Sequence, residues 1–234
     1  MQKKTNKHLG ALAILHEDKH LLVVDKPPGL LTMGTESEGT RTAYYKLTDY
    51  VRRGNPKSRN RIFIVHRLDR ETSGVLVFAK SQEVKEHLQA HWETTRKTYL
   101  AVVHGTPDPP VGTITSYLAE NVAHQVFTTR NPDAGKLAKT NFKLLSSAKG
   151  YSLLEVDLLT GRKHQIRVHL ADAGHPVVGD KKYGKKGEKA ARLALHAWAL
   201  EFQHPVTRQW LRFETQVPPF FRHTAPAEAP PRGE

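Results

Sequence analysis

Between Ile62 and Ala79, two short apolar runs, Ile62-Phe-Ile-Val65 and Val75-Leu-Val-Phe-Ala79, bracket a loop crowded with charge. Each run is too short for a buried helix and is rich in β-branched or aromatic residues, so both read as buried strands. A chain that must bury two such strands within twenty residues is committed to a sheet, and the rest of the pattern agrees. Residues 14–25 read as two strands around a polar turn, closed by the breaker Lys26-Pro-Pro-Gly29. After Thr98-Tyr-Leu-Ala-Val-Val103, prolines 107, 109 and 110 break the chain, and 114–118, 124–130, 140–145 and 152–159 follow as strands. The turns Asn131-Pro-Asp-Ala-Gly135 and Ala148-Lys-Gly150 are short, which predicts antiparallel neighbours. A last hairpin is expected from 193–202 and 210–217.

Helices are fewer. Ser81 is an N-cap for a helix reaching to about Arg96, with Val84, Leu88 and Trp92 on one face. Short helices are expected near 42–51, inside a polar surface excursion over 35–60, and over 164–173, ended by Gly174. The fold class that follows is α+β (mixed α/β): a largely antiparallel mixed β-sheet core with flanking helices. One catalytic domain is expected over 12–222, with 1–11 and 223–234 as flexible tails.

Charge narrows the partner. The chain carries 36 Lys and Arg against 23 Asp and Glu, a formal net charge of +13. The cations gather between Arg41 and Arg70 and again at Lys181, Lys182, Lys185, Lys186 and Lys189. A polyanion is the expected partner, met on a phosphate-binding surface. No apolar run reaches the roughly 20 residues of a membrane-spanning helix, so no membrane is expected. With no cysteine, disulfides, thiolate nucleophiles and cysteine-bound zinc are excluded, and a cytoplasmic setting is the simplest one.

The loop between the two apolar runs reads His66-Arg-Leu-Asp-Arg-Glu-Thr-Ser-Gly74 and sets the Asp69 carboxylate among Arg67, Arg70 and His66. Such neighbours keep a carboxylate ionised, fit to act as a nucleophile or base. A salt-bridged turn, with Thr72 and Ser73 serving backbone groups, is the alternative on composition alone. The second dense segment runs from Leu159 to Asp180. On its helix His164 and Arg167 share one face and Ile166 and Leu170 another. His164 and His169 stand i,i+5, and the i,i+4 pair His87 and His91 lacks the glutamate of a metalloprotease motif, so no metal site is expected.

These residues resemble the RluA group of RNA pseudouridine synthases. His66–Gly74 matches that family's HRLDxxTSG signature, Lys97-Thr-Tyr-Leu-Ala101 its K-x-Y-x-A element, and Thr160-Gly-Arg-Lys-His-Gln-Ile-Arg-Val-His169 with Gly174-His-Pro-Val-Val-Gly-Asp180 its third motif. Val24-Asp-Lys-Pro-Pro-Gly-Leu30 and Leu195-His-Ala-Trp-Ala-Leu200 also fall where the family has similar segments. The resemblance implies an isomerase that flips a uridine out of ribosomal or transfer RNA, cleaves its glycosidic bond and rejoins the uracil through carbon. It implies Asp69 as the catalytic aspartate, Tyr99 as the active-site tyrosine and Arg167 as the cation paired with the catalytic carboxylate. Arg67 is implied as the side chain that replaces the extruded base, and His66, Thr72, Arg162, His164 and Gln165 as substrate contacts. Ile166 and Leu195 are the apolar candidates for the pocket wall. No cofactor and no metal are implied, and a monomer is the default. Many members carry an N-terminal S4-type domain, but here the resemblance begins almost at once, so targeting is expected from the catalytic domain itself, through 35–60 and Lys181–Lys189.

Two rivals stand beside this expectation. A noncatalytic basic RNA-binding protein would explain the charge but needs no carboxylate among arginines. A Ser73 hydrolase would need a triad, and Thr72-Ser-Gly74 is not the G-x-S-x-G elbow.

Overall fold

The computed structural model describes residues 7–34 and 36–224. In chain order the strands and helices are β1 (Lys7–Leu9), β2 (Leu12–Glu17), β3 (Leu21–Lys26), α1 (Ala43–Arg52), β4 (Phe63–Ile64), β5 (Ser73–Ala79), α2 (Gln82–Ala90), β6 (Arg96–His104), β7 (Val111–Glu120), β8 (Val126–Thr129), β9 (Lys136–Ala148), β10 (Tyr151–Leu158), α3 (Gln165–Asp172), β11 (Leu195–Gln203), β12 (Trp210–Glu214) and α4 (Pro219–Thr224). The mixed α+β expectation holds: strands dominate and every pairing between these strands described below is antiparallel. Of the expected tails, 7–9 pair with β2 and 223–224 end a helix that begins at Pro219, whereas 1–6 and 225–234 lie outside the described residues.

Two compact units are distinguished, one from the described residues up to Thr95 together with Ala199–Thr215, the other from Arg96–Trp198 together with 216–224. In the first, β1, β2, β3 and β5 pair in that order, β4 adds to β5, and β12 pairs with Ala199–Gln203 of β11. β5 is buried along its whole length, which is why its sequence from Val75 to Ala79 is continuously apolar instead of alternating. Its core holds Leu21, Val23, Val75, Val77, Val84, Leu88, Phe202 and Phe213. Ser81 caps α2, accepting from the Val84 N–H at 3.3 Å, but the helix stops at Ala90 and a 3₁₀ turn over Trp92–Thr94 replaces its expected last turn. The first apolar run is paired only at Phe63–Ile64.

In the second unit the order is β6, β10, β9, β7, β8. Ala148-Lys-Gly150 makes the expected two-residue hairpin, with Lys149 and Gly150 both at positive φ (53° and 78°). Asn131–Gly135 does not join neighbours. It crosses β7, so that Tyr117 lies between Thr129 of β8 and Leu137 of β9. Gly135 is what permits the crossing: a Cβ there would sit 2.8 Å from the Thr129 methyl and 3.2 Å from the Leu118 carbonyl carbon.

Candidate active site

The loop after β4 is held from both sides of Asp69. On the N-terminal side, His66 Nε2 accepts the Val77 N–H at 3.1 Å and its ring packs on Trp92 at 4.6 Å between centroids. The neutral ring therefore carries its proton on Nδ1. The Thr32 hydroxyl clamps the buried Leu68 backbone twice, accepting its N–H at 3.1 Å and donating to its carbonyl at 3.0 Å. On the C-terminal side, the Arg70 carbonyl accepts the Gly29 N–H at 2.9 Å and Lys26 Nζ at 3.0 Å. Lys26 is completely buried, and its ammonium also donates to the Pro27 and Leu30 carbonyls at 3.0 and 2.7 Å. The Thr72 N–H closes a turn onto the Asp69 carbonyl at 3.2 Å.

Asp69 itself is half-buried, with exposed Arg67 and Arg70 on either side of the Leu68–Asp69 pair. Arg70 pairs with Glu38 at 2.6 Å. A carboxylate whose backbone is pinned on both flanks is pre-aimed, the condition a nucleophile or base must meet. Of the expected residues in this unit, His66, Arg67, Asp69 and Thr72 share the one loop. Lys26 and Thr32 were not foreseen. Lys26 stood in the sequence as part of a breaker and of the family-like segment from Val24 to Leu30, and the signal for its role was a lysine directly ending a buried strand.

In the second unit Tyr99 is half-buried on β6 opposite Val156, and Lys97, two residues before it and so on the same face, is buried. Burial pushes the Lys97 ammonium below its ordinary pKa. Gln165, the first residue of α3, is buried with all four amide positions in use. Its oxygen accepts from the Thr160 hydroxyl at 2.8 Å and the Arg162 N–H at 3.0 Å, and its nitrogen donates to the Lys139 carbonyl and the Thr140 hydroxyl, both at 2.9 Å. It ties the 159–164 loop to β9.

His164 caps α3 in the left-handed region at φ 54°, a conformation costly for a residue with a Cβ, and its Nδ1 lies 2.8 Å from the Tyr183 hydroxyl. That hydroxyl also accepts the Val126 N–H at 3.1 Å. One turn on, Arg167 Nε and Nη2 meet Asp180 Oδ2 and Oδ1 at 2.7 and 2.8 Å, and the guanidinium stands 5.1 Å from the Tyr183 ring centroid. Burial alone would raise the Asp180 pKa, but the Arg167 bonds and charge, with the Lys182 and Tyr183 N–H groups, bring it below the ordinary value. Arg162 is exposed, while Ile166 and Leu195 are each 4% exposed. The expected residues 162–167 thus share one loop and helix. Asp180 and Tyr183, which hold them, had no role in the sequence expectation.

The His87 and His91 rings stack at 4.3 Å, and His87 Nε2 accepts from Arg208 at 2.8 Å. Among the described residues no group of three or more His, Asp or Glu side chains is arranged to hold a metal, and no helix is long and apolar enough to cross a membrane.

Comparison with known proteins joins these two halves to one family. Residues 20–172 match the family described as RNA pseudouridylate synthase. The chain is 37% identical over 213 residues to a Bacillus subtilis protein named uncharacterized RNA pseudouridine synthase YhcT, covering 89% of this chain and 70% of that one. It is 36% identical to the ribosomal large subunit pseudouridine synthase D of Nitrosomonas europaea, covering 88% and 62%. The chain thus spans somewhat under two thirds to 70% of the length of these two relatives. The solved structure titled human RNA pseudouridylate synthase domain containing 4 superposes with a TM-score of 0.75 at 27% identity, over 90% of each chain. The described sheet, the pinned Asp69 loop and these matches together establish that the chain belongs to the RNA pseudouridylate synthase family.

Proposed function

We propose that the protein isomerises uridine to pseudouridine in RNA, with ribosomal RNA as the first class to test. Asp69 acts as nucleophile or base while the glycosidic bond to nitrogen breaks, and the uracil, still held, turns and rejoins C1′ through carbon. Tyr99 faces the base, Arg167 is the cation that keeps the catalytic carboxylate ionised, and Arg67 takes the place of the extruded nucleotide. His66, Thr72, Arg162, His164 and Gln165 position the substrate or the segments that touch it, and Ile166 and Leu195 supply apolar wall. No redox change or group donor enters the balance, so no cofactor is proposed. A monomer working in the cytoplasm is the simplest setting.

The observation that carries the proposal is the loop around Asp69, pinned at Leu68 by Thr32 and at Arg70 by Lys26. Rigidity of that kind has no use in a protein that only coats RNA. Extruding a base costs a few kcal/mol, which contacts to phosphate and stacking must offset, and the clustered cations suit that need. The test is Asp69→Asn with a ribosomal RNA transcript. The variant should fold and bind RNA as the parent does while forming no pseudouridine. Turnover by the variant would remove Asp69 from the chemistry, whereas an unaltered protein that binds the transcript but forms no pseudouridine would revive the noncatalytic alternative.

A further inference from the structure

A cleft of about 590 Å³ opens in the second unit where the ends of β7 and β8, the 131–135 crossover and the loop before α3 meet. That volume lies in the range of sites that hold a small ligand. Its floor includes Leu118 and Val126, both buried and packed with Ala138 and Val168, so the floor is stiff. Three cations line it: Lys136, Arg162 and Lys163. Arg162 is anchored along one edge, Nε donating to the Leu137 carbonyl at 3.1 Å, and among the described residues neither Arg162 nor Lys136 has a carboxylate within ion-pair distance. Lys163 differs, because Glu120 holds its ammonium and also meets His124 Nδ1 at 2.8 Å. Asp133 adds a second carboxylate on the crossover.

The geometry points to a subsite for one nucleotide of the RNA other than the target uridine, with its phosphate on Arg162 and Lys136 and its sugar or base over Leu118 and Val126. The inference rests on RNA being the substrate, and it adds a place and a device. Glu120 is a built-in competitor for the third cation, so an arriving phosphate must displace it to recruit Lys163. The matched cations and small floor fit a phosphodiester better than a protein segment, which would need more apolar area.

The test is fluorescence anisotropy with a labelled, uridine-containing stem-loop RNA over a range of salt. Arg162→Ala with Lys136→Ala should weaken binding about tenfold and lower the slope of log K against log salt by about 2. Glu120→Gln should tighten binding about threefold by releasing Lys163. Lys149→Asn and Asp108→Asn make like charge changes near the opposite ends of β9 and β7, with Lys149 about 40 Å along the strand from Lys136, and should leave affinity within about twofold. Circular dichroism checks that each variant is folded. Equal losses from Lys149→Asn and from the cleft cations, or no gain from Glu120→Gln, would overturn the subsite and leave only diffuse charge. Failure of the unaltered protein to bind RNA would instead overturn the RNA substrate itself.

Discussion

Arg167 and Asp180 meet edge to edge, Nε to Oδ2 at 2.7 Å and Nη2 to Oδ1 at 2.8 Å, with Asp180 also capping the turn that follows it through the Lys182 and Tyr183 N–H groups. A planar fork on a planar carboxylate fixes the guanidinium in rotation as well as position.

Removing the carboxylate takes a two-bond partner from a partly buried guanidinium, so Asp180→Ala should cost about 2–3 kcal/mol in urea unfolding. The pair also has a pH signature. The Asp180 pKa is lower folded than its ordinary 3.8, so below that value the unfolded chain binds more protons and stability is lost as pH falls toward the folded value; above it the contribution is complete. Asp180→Asn should therefore flatten the loss of stability below about pH 4 relative to the parent, and an unchanged acid limb would contradict the assignment.

Lys26→Met should keep the bulk of the side chain and leave three carbonyls short of a donor, at a cost of about 2–3 kcal/mol. Because one of those carbonyls belongs to Arg70, turnover should fall at least tenfold while RNA affinity stays within about twofold. Steady-state kinetics beside equilibrium binding separate the two; affinity falling in step with turnover would mean that Lys26 acts on binding alone.

The pattern of apolar strands and capped helices was legible because it is local: Ser81, Gly174 and the Lys149-Gly150 turn each act on their immediate neighbours. The pinned loop was legible only as chemistry. Asp69 could be singled out among arginines, yet its neighbours Leu68 and Arg70 are held through their backbone by Thr32 and Lys26, 36 and 44 residues away from them in sequence, a distance no periodicity reports. The Asn131–Gly135 segment misled for a related reason. Its length suits a hairpin, and only the close approach of Gly135 to Leu118 and Thr129 tells a crossing from a turn. Gln165 likewise serves its own loop and β9 with every hydrogen-bonding position, a fact its place in a motif does not disclose.

His164 sits at φ 54° without a side-chain cap bond. His164→Gly should be tolerated, losing the Tyr183 contact but relieving backbone strain, whereas His164→Val should be less stable than the glycine variant by about 1–2 kcal/mol. Thermal unfolding of the two variants side by side checks this; equal midpoints would mean that the conformation is not maintained.

Lys181, Lys185, Lys186 and Lys189 lie exposed on a segment tied down by Asp180 and by Glu188, whose Oε2 accepts the Gly179 N–H at 2.8 Å. Neutralising all four should leave the fold intact, weaken RNA binding and reduce its salt dependence, by about one unit of slope for each lysine that meets a phosphate. An unchanged slope in a binding titration would release this segment from any RNA role.

The most direct measurement is pseudouridine mapping of ribosomal and transfer RNA from cells lacking this gene, complemented with the unaltered protein or with Asp69→Ala. Particular sites should vanish on deletion and return with the unaltered protein alone. Their return with Asp69→Ala, or the loss of no site at all, would contradict catalysis by Asp69.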